Sequence, residues 1–418
     1  MKNRWLIALS AVGVHICIGS VYAWSVLTKP IMRDMGFSLG ETTWAFSIAI
    51  LFLGLSAAFL GPVVEQMGPR RSGFLSALFF GSGLLGTGMA LWMHSLPLLY
   101  LFYGVIGGIG LGVGYITPVS TLVKWFPDHR GFATGLAIMG FGFAGLLAGP
   151  VMQALTDRYG LIMNFLILGI FYSAVISVSA WYLAPPRPGD VHPALRTVPE
   201  GDREKTVSCS MEGPQLTRRQ ALHTWQFYTL WWIFFTNITC GIGLLAVASP
   251  MAQEMTGMTA AGAASMVGLI GLMNGFGRIG WSTVSDWMGR PNTYLLFFFM
   301  EILAFGGLAS TDSSWVFMWL TCLIITCYGG GFACMPAYLA DLFGVRQLAS
   351  IHGCILTAWG MAGIAGPLLL AFLKDSTGSY SMTLQIFAGL LLVSFLAAAG
   401  LKRYGKAEGI FGMQEEKA

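Results

Sequence analysis

The sequence predicts an all-α integral membrane protein, with twelve transmembrane helices in two pseudo-symmetric six-helix bundles. Three observations carry that expectation. The 418 residues are 55% hydrophobic and 10% charged, with a mean hydropathy of +0.69. A soluble domain carries about a quarter charged residues, so too few charges remain to cover a water-soluble fold of this size. Apolar runs of about 20 residues, the length that a ~30 Å hydrocarbon core requires, recur along the whole chain. The two halves also repeat each other's loop motifs. A cytosolic enzyme, a nucleic-acid binder and a disordered chain are excluded, and the net charge of +4 indicates no polyanionic partner. The lipid bilayer is the expected surrounding, with no obligate protein partner.

The elements follow in order. Run 5–28 lies behind Lys2 and Arg4. It stays apolar to Leu27, longer than a secretory signal core and without a small-x-small exit, so it reads as a retained helix. Runs 42–63 and 72–93 flank a charged loop, and runs 98–123 and 131–155 flank Asp128-His129-Arg130. Run 161–184 is apolar throughout, which fits no alternating transmembrane strand. The stretch after it holds Pro185, Pro186, Pro188, Pro193 and Pro199 with mixed charges, and Thr217 to Gln220 is expected to open a short surface helix. Runs 225–250 and 260–283 follow. Runs 293–310 and 315–339 lie between the Asp286 and Asp341 loops, and 348–372 and 380–401 complete the set. The expected organisation is a first bundle over 1–184, a cytoplasmic linker over 185–224, a second bundle over 225–401 and a cytoplasmic tail over 402–418.

Charge sets the orientation. Counting loops alternately places 18 of the 23 Lys and Arg on one side and four (Lys29, Arg33, Arg158, Lys374) on the other, with Arg278 inside a span. Positive charge is retained on the cytoplasmic side, so both termini are expected there.

The repeat is explicit. Gly61-x-x-x-Glu65-Gln66-x-Gly68-Pro69-Arg70-Arg71 matches Ser282-x-x-x-Asp286-x-x-Gly289-Arg290, and Phe126 with Gly149-Pro150 matches Phe343 with Gly366-Pro367. Two parallel repeats with substrate held between them suit alternating access. The loop resembles that of the major facilitator superfamily, in which an acidic residue, a glycine and basic residues latch helix ends. Glu65 replaces the usual Asp, and Gln66 a usual basic residue. Glu65 and Asp286 are expected to pair with basic groups at neighbouring helix ends while the cytoplasmic side is closed. Arg70, Arg71, Asp128, Arg130, Arg290 and Asp341 complete the expected gating charges.

A narrower resemblance rests on Gly19-Ser20-Val21-Tyr22-Ala23-Trp24-Ser25-Val26-Leu27 and on Trp125-Phe126-Pro127-Asp128-His129-Arg130-Gly131. These look like the oxalate–formate antiporter family, related to the eukaryotic monocarboxylate transporters. Asn274-Gly275-Phe276-Gly277-Arg278 resembles both groups around their substrate-binding arginine. The chain therefore resembles a bacterial monocarboxylate transporter of the inner (cell) membrane.

Few ionisable groups lie within the spans, and such groups are expensive in hydrocarbon and usually functional. Arg278 has no charged neighbour one turn away, so a substrate carboxylate is its expected bidentate partner. A structural pair with Glu301 is the alternative. Asn274, one turn earlier on the same face, is expected to orient the guanidinium. The related monocarboxylate transporters place an aspartate there, and an asparagine does not titrate. The antiporter's second buried cation, a lysine in span eleven, corresponds here to Trp359, which implies a monocarboxylate rather than a dianion. The family resemblance also makes Tyr115 and Tyr328 aromatic substrate contacts; Phe332 is the repeat mate of Tyr115, and Tyr22, Leu27 and Phe141 are candidates for the apolar side of the pocket. His15 and Glu301 are the candidate proton carriers, and His352 stands near the start of span eleven.

The glycine runs Gly107–Gly114 and Gly140–Gly145 follow no strand, so they suit helix packing rather than a nucleotide loop. Seven cysteines without CxxC or Cys/His spacing imply free thiols, no metal site and no cofactor. No Ser/His/Asp grouping supports an enzyme. The expected function is secondary transport of a small monocarboxylate, lactate or pyruvate, with a proton. A carboxylate exchanger, a non-transporting membrane sensor and a drug exporter are the alternatives.

Overall fold

The computed structural model describes residues 2–186 and 215–407. The proline-rich part of the linker and the last residues of the tail lie outside them. Ten helices are long and apolar enough to cross a membrane. Two further spans come from one helix that holds a pair and from the helix carrying Arg278, so the described residues supply twelve. In chain order α1 is Arg4–Met35. The continuous stretch Leu39–Trp92 divides into α2 (39–67) and α3 (69–92). Then come α4 Leu96–Trp125, α5 Arg130–Tyr159, α6 Leu161–Tyr182, α7 Trp225–Thr256, α8 Ala260–Met288, α9 Arg290–Ser310, α10 Ser314–Phe343, α11 Leu348–Thr377 and α12 Tyr380–Ala407.

Local chemistry sets the helix ends. Ser38 and Glu41 form a reciprocal capping box that opens α2, and the side chains of Thr224 and Thr259 cap α7 and α8. The turn between α2 and α3 is made by Gly68, at φ 76° and ψ 166°, a backbone conformation that a side chain would strain. Without it, 54 helical residues would run about 80 Å at 1.5 Å per residue, far beyond one bilayer. The expected short helix after the linker is present as Arg218–Ala221, with a capping box between Thr217 and Gln220. It is tied to the α10–α11 loop, where Leu216 N–H donates to the Phe343 carbonyl at 2.9 Å and Arg218 N–H to Gln347 Oε1 at 2.6 Å.

Within the first half, α1 packs on α5 and α6, while α2 and α3 pack on α4 and α6. Within the second, α7 packs on α11, α8 on α10 and α9 on α12. The halves meet along two helix pairs, α2 with α11 and α5 with α8. The repeat maps α2 onto α8 and α5 onto α11, so these contacts are symmetry mates. Very small residues permit them: a Cβ added at Gly353 would stand 1.9 Å from the Ala57 carbonyl oxygen. Outward faces are apolar, with Leu78, Ile170, Val178, Leu303 and Leu396 exposed. That pattern suits a lipid solvent and would be a liability in water.

Candidate functional site

Arg278 sits on α8 and is completely buried. Its Nε donates to Asn274 Oδ1 at 3.2 Å, while among the described residues Nη1 and Nη2 have no hydrogen-bond partner. The guanidinium carbon lies 5.0 Å from the centroid of Phe332 and 6.0 Å from that of Phe141. Ring faces attract the cation but offset only part of the penalty for burying a charge without a counter-charge. Two unpaired amino groups in a fixed planar fork match the two oxygens of a carboxylate.

Six aromatic side chains surround this fork. Tyr22, Tyr115 and Phe141 come from the first half, and Tyr328, Phe332 and Trp359 from the second. Trp359 joins them, with its ring 4.8 Å from Phe332, 5.4 Å from Tyr115, 5.6 Å from Phe141 and 6.4 Å from Tyr22. Tyr22 also meets Phe141 at 5.0 Å, and Tyr328 meets Phe332 at 5.2 Å. The hydroxyls of Tyr22 and Tyr115 and the indole Nε1 of Trp359 are buried without a hydrogen-bond partner. The enclosure therefore offers one cation and three neutral donor-capable groups on otherwise apolar walls. Both halves contribute, so motion of one half against the other takes it apart. Leu27 is buried five residues beyond Tyr22, outside the ring contacts that define the enclosure.

Glu301 does not pair with Arg278. Its Oε1 accepts from Asn237 Nδ2 on α7 at 2.9 Å, and its Oε2 has no hydrogen-bond partner. Both residues belong to the second half, on the far side of α10 from the fork: a Cβ at Gly331 would touch Asn237, whereas one at Gly329 would touch Asn274. His15 borders the enclosure, with its ring 5.3 Å from Tyr115 and 6.4 Å from Phe141.

The charged loops form a second constellation. The Asp286 carboxylate accepts from the backbone N–H groups of Gly131 and Phe132, both at 2.9 Å, at the start of α5. The Glu65 carboxylate accepts from Ala349 N–H at 2.7 Å at the start of α11. Each acid therefore caps a helix of the opposite half, where the macrodipole and unsatisfied N–H groups favour an anion. Each acid also pairs with a basic group at a neighbouring helix end, Glu65 with Lys124 and Asp286 with Arg290, and both of these basic partners belong to the acid's own half. Arg130 crosses to Asp341 at 3.0 Å, and Arg290 also meets Asp341 at 3.3 Å. Three expected gating charges lie elsewhere. Arg70 stacks on Trp181 of its own half, Arg71 is exposed, and Asp128 pairs with Arg4. The Gly68 turn delivers Glu65 to the interface and leaves the two arginines that follow it on the outer side.

Sequence reasoning missed the Asn237–Glu301 pair, the helix-capping role of the two acids and the closeness of His352 to Tyr115, with ring centroids 5.9 Å apart. Only the repeat held a signal for any of these, because it gives Glu65 and Asp286 equivalent helix ends to cap.

A family model described as Major Facilitator Superfamily matches residues 9–333. The Oxalate:formate antiporter of Oxalobacter formigenes is 26% identical over 97% of this chain and 93% of its own length. Apicoplast pyruvate carrier 1 of Toxoplasma gondii is 25% identical over 85% of this chain and 81% of its own. Among solved structures, the transporter FucP in its outward conformation superposes with a TM-score of 0.72 at 12% identity, covering 96% of this chain and 99% of that one. That last likeness concerns the fold alone.

Proposed function

The chain belongs to the major facilitator superfamily, and on that premise we propose that it moves a small monocarboxylate, lactate or pyruvate, together with a proton by alternating access. Its relatives make it a transporter of the organic anion or carboxylate type. The observation that carries the finer reading is the Arg278 fork, whose two amino groups are unpaired inside an aromatic enclosure. Among the described residues no second cation contacts these rings. One buried charge neutralises one carboxylate, and a dianion would leave a charge uncompensated. The named substrate of the pyruvate carrier fits this reading.

The binding step follows from the geometry. A carboxylate enters against the fork, Asn274 accepts from Nε and so fixes the direction in which Nη1 and Nη2 point, and Tyr22 and Tyr115 donate to the remaining oxygens. The bare cation opposes closure around itself, whereas the neutral pair permits it. Closure at the charge-rich end is held by Glu65, Asp286, Arg130 and Asp341, so breaking their contacts accompanies opening there. If that end is cytoplasmic, as the distribution of Lys and Arg predicts, this conformation is closed toward the cytoplasm.

Uptake of labelled lactate and pyruvate into proteoliposomes tests the proposal. An inward proton gradient is expected to drive accumulation in the wild type and not in Arg278→Gln. Carboxylate exchange is the second reading, favoured by the antiporter relative. It would appear as uptake that ignores the gradient and answers to carboxylate trapped inside. Uptake under neither condition would remove both substrates.

A further inference from the structure

Two histidines, one from each half, stand against the same tyrosine ring beside the substrate enclosure. His15 on α1 and His352 on α11 are both completely buried. His15 Nδ1 lies 3.1 Å from the Ala11 carbonyl oxygen. A carbonyl only accepts, so Nδ1 carries the proton and Nε2 of the neutral ring presents a bare lone pair. Among the described residues that Nε2 has no hydrogen-bond partner, and neither has either nitrogen of His352. Tyr115 stands against both rings, at 5.3 Å and 5.9 Å, with its own hydroxyl unpartnered. Buried polar atoms are satisfied in the great majority of cases, so four unpartnered ones at a single junction call for a role.

The surrounding charges restrict that role. From α4 the junction faces Tyr115, from α5 the apolar Phe141 and Gly140, and from α2 the alanines that pack on Gly353. From α8 it feels the Arg278 guanidinium, and the two histidines feel each other. Among the described residues no carboxylate faces either ring. An imidazolium formed there would sit beside another cation, buried and uncompensated.

Resting on the reading of Arg278 as the carboxylate site, we propose that His15 and His352, with Tyr115 between them and the substrate, form the proton-coupling site. The proton adds to a free imidazole lone pair, forming one N–H bond that breaks again on release to water. Burial opposes protonation of both rings, and the Arg278 charge adds to it at His15, so a carboxylate on Arg278 cancels that second effect and the anion strengthens proton binding. By linkage the proton strengthens anion binding by the same factor. Separation of the halves at the charge-rich end parts His15 from His352 and hydrates both, which completes release on that side. Without substrate, the same electrostatics makes protonation favour the conformation open at the charge-rich end.

Two measurements test this. In proteoliposomes, His15→Gln combined with His352→Gln is expected to abolish gradient-driven accumulation of lactate or pyruvate while equilibrium exchange through Arg278 persists. Gradient-driven accumulation equal to the wild type would overturn the proposal. Loss of exchange together with accumulation would also overturn it, since the pair would then serve binding rather than coupling. The second readout needs no substrate. Spin labels on Arg71→Cys and Arg346→Cys, both exposed at the charge-rich end, report the distance between halves in nanodiscs. Lowering pH through the imidazole range is expected to lengthen that distance in the otherwise wild-type protein and not in the double histidine variant. A distance that ignores pH, or responds equally in both, overturns the pair as a proton site. If pH moves the distance but neither substrate is transported, the monocarboxylate reading fails and the histidine switch stands.

Discussion

At Arg278 two terms compete, and their sizes decide what the residue does. Leaving a guanidinium buried and unpaired costs several kcal/mol, whereas the two ring contacts return about 1–2 kcal/mol each. On the proposed reading, a bidentate carboxylate closes the deficit. Arg278→Lys keeps the charge and loses the fork, so affinity for the carboxylate is expected to fall at least tenfold, read by calorimetry or by uptake at graded substrate concentration. Trp359→Lys installs a second cation at the position whose indole now packs 4.8 Å from the Phe332 ring. This change is expected to lower monocarboxylate uptake and raise dicarboxylate competition by about tenfold or more, since each uncompensated charge was the dominant penalty. Glu301 behaves differently, because among the described residues its hydrogen bond is to Asn237 within one half. Glu301→Gln is expected to leave transport nearly intact, whereas Glu301→Leu orphans Asn237. The latter substitution should lower stability by about 1–3 kcal/mol, visible as a reduced Tm in detergent.

At the scale of helices, the interlock is two carboxylates capping two helices that belong to the opposite half. Removing an N-terminal cap costs about 0.5–2 kcal/mol, and here the loss falls only on the conformation closed at the charge-rich end. Glu65→Gln or Asp286→Asn alone is expected to shift the conformational equilibrium by about tenfold toward opening, with Asp286→Asn stronger because Asp286 bonds two N–H groups. Cross-linking of engineered cysteine pairs between the α2–α3 and α10–α11 loops measures that shift. Increased cross-linking in either variant would contradict the capping role. The pair Arg130–Asp341 adds an ion contact over the same interface, so its loss should act in the same direction.

For the whole molecule, the two halves meet on faces that are nearly free of side chains where they approach most closely. Gly353 sets the limit, since a Cβ there meets the backbone of α2 at 1.9 Å. Gly353→Leu is expected to leave each bundle folded while holding the charge-rich end apart, so transport is lost without loss of monodisperse protein on size exclusion. A packed interface cannot deform gradually to admit a side chain, which is why the effect should be nearly all or none. The same property makes the enclosure around Arg278 a shared product of both halves and ties its integrity to the conformational cycle.

The helical membrane architecture was legible from hydropathy and span length, because an apolar run of bilayer length has few other solutions in lipid. The pairing of halves was foreshadowed by the repeat. Arg278 stood out in the sequence as a lone cation inside an apolar span, and Asn274 by its place one turn earlier, whereas Trp359 came forward only through the resemblance to the antiporter family. What no reading of one strand of residues could supply is which side chains from different helices meet. Helical periodicity orients a residue on its own helix and says nothing of the face opposite. Tertiary packing alone decided that Glu301 answers to Asn237, that Glu65 and Asp286 cap helices of the opposite half, and that His15 and His352 meet Tyr115. Each of those contacts joins residues far apart in the chain, and its energy depends on a geometry that exists only once the two halves have docked.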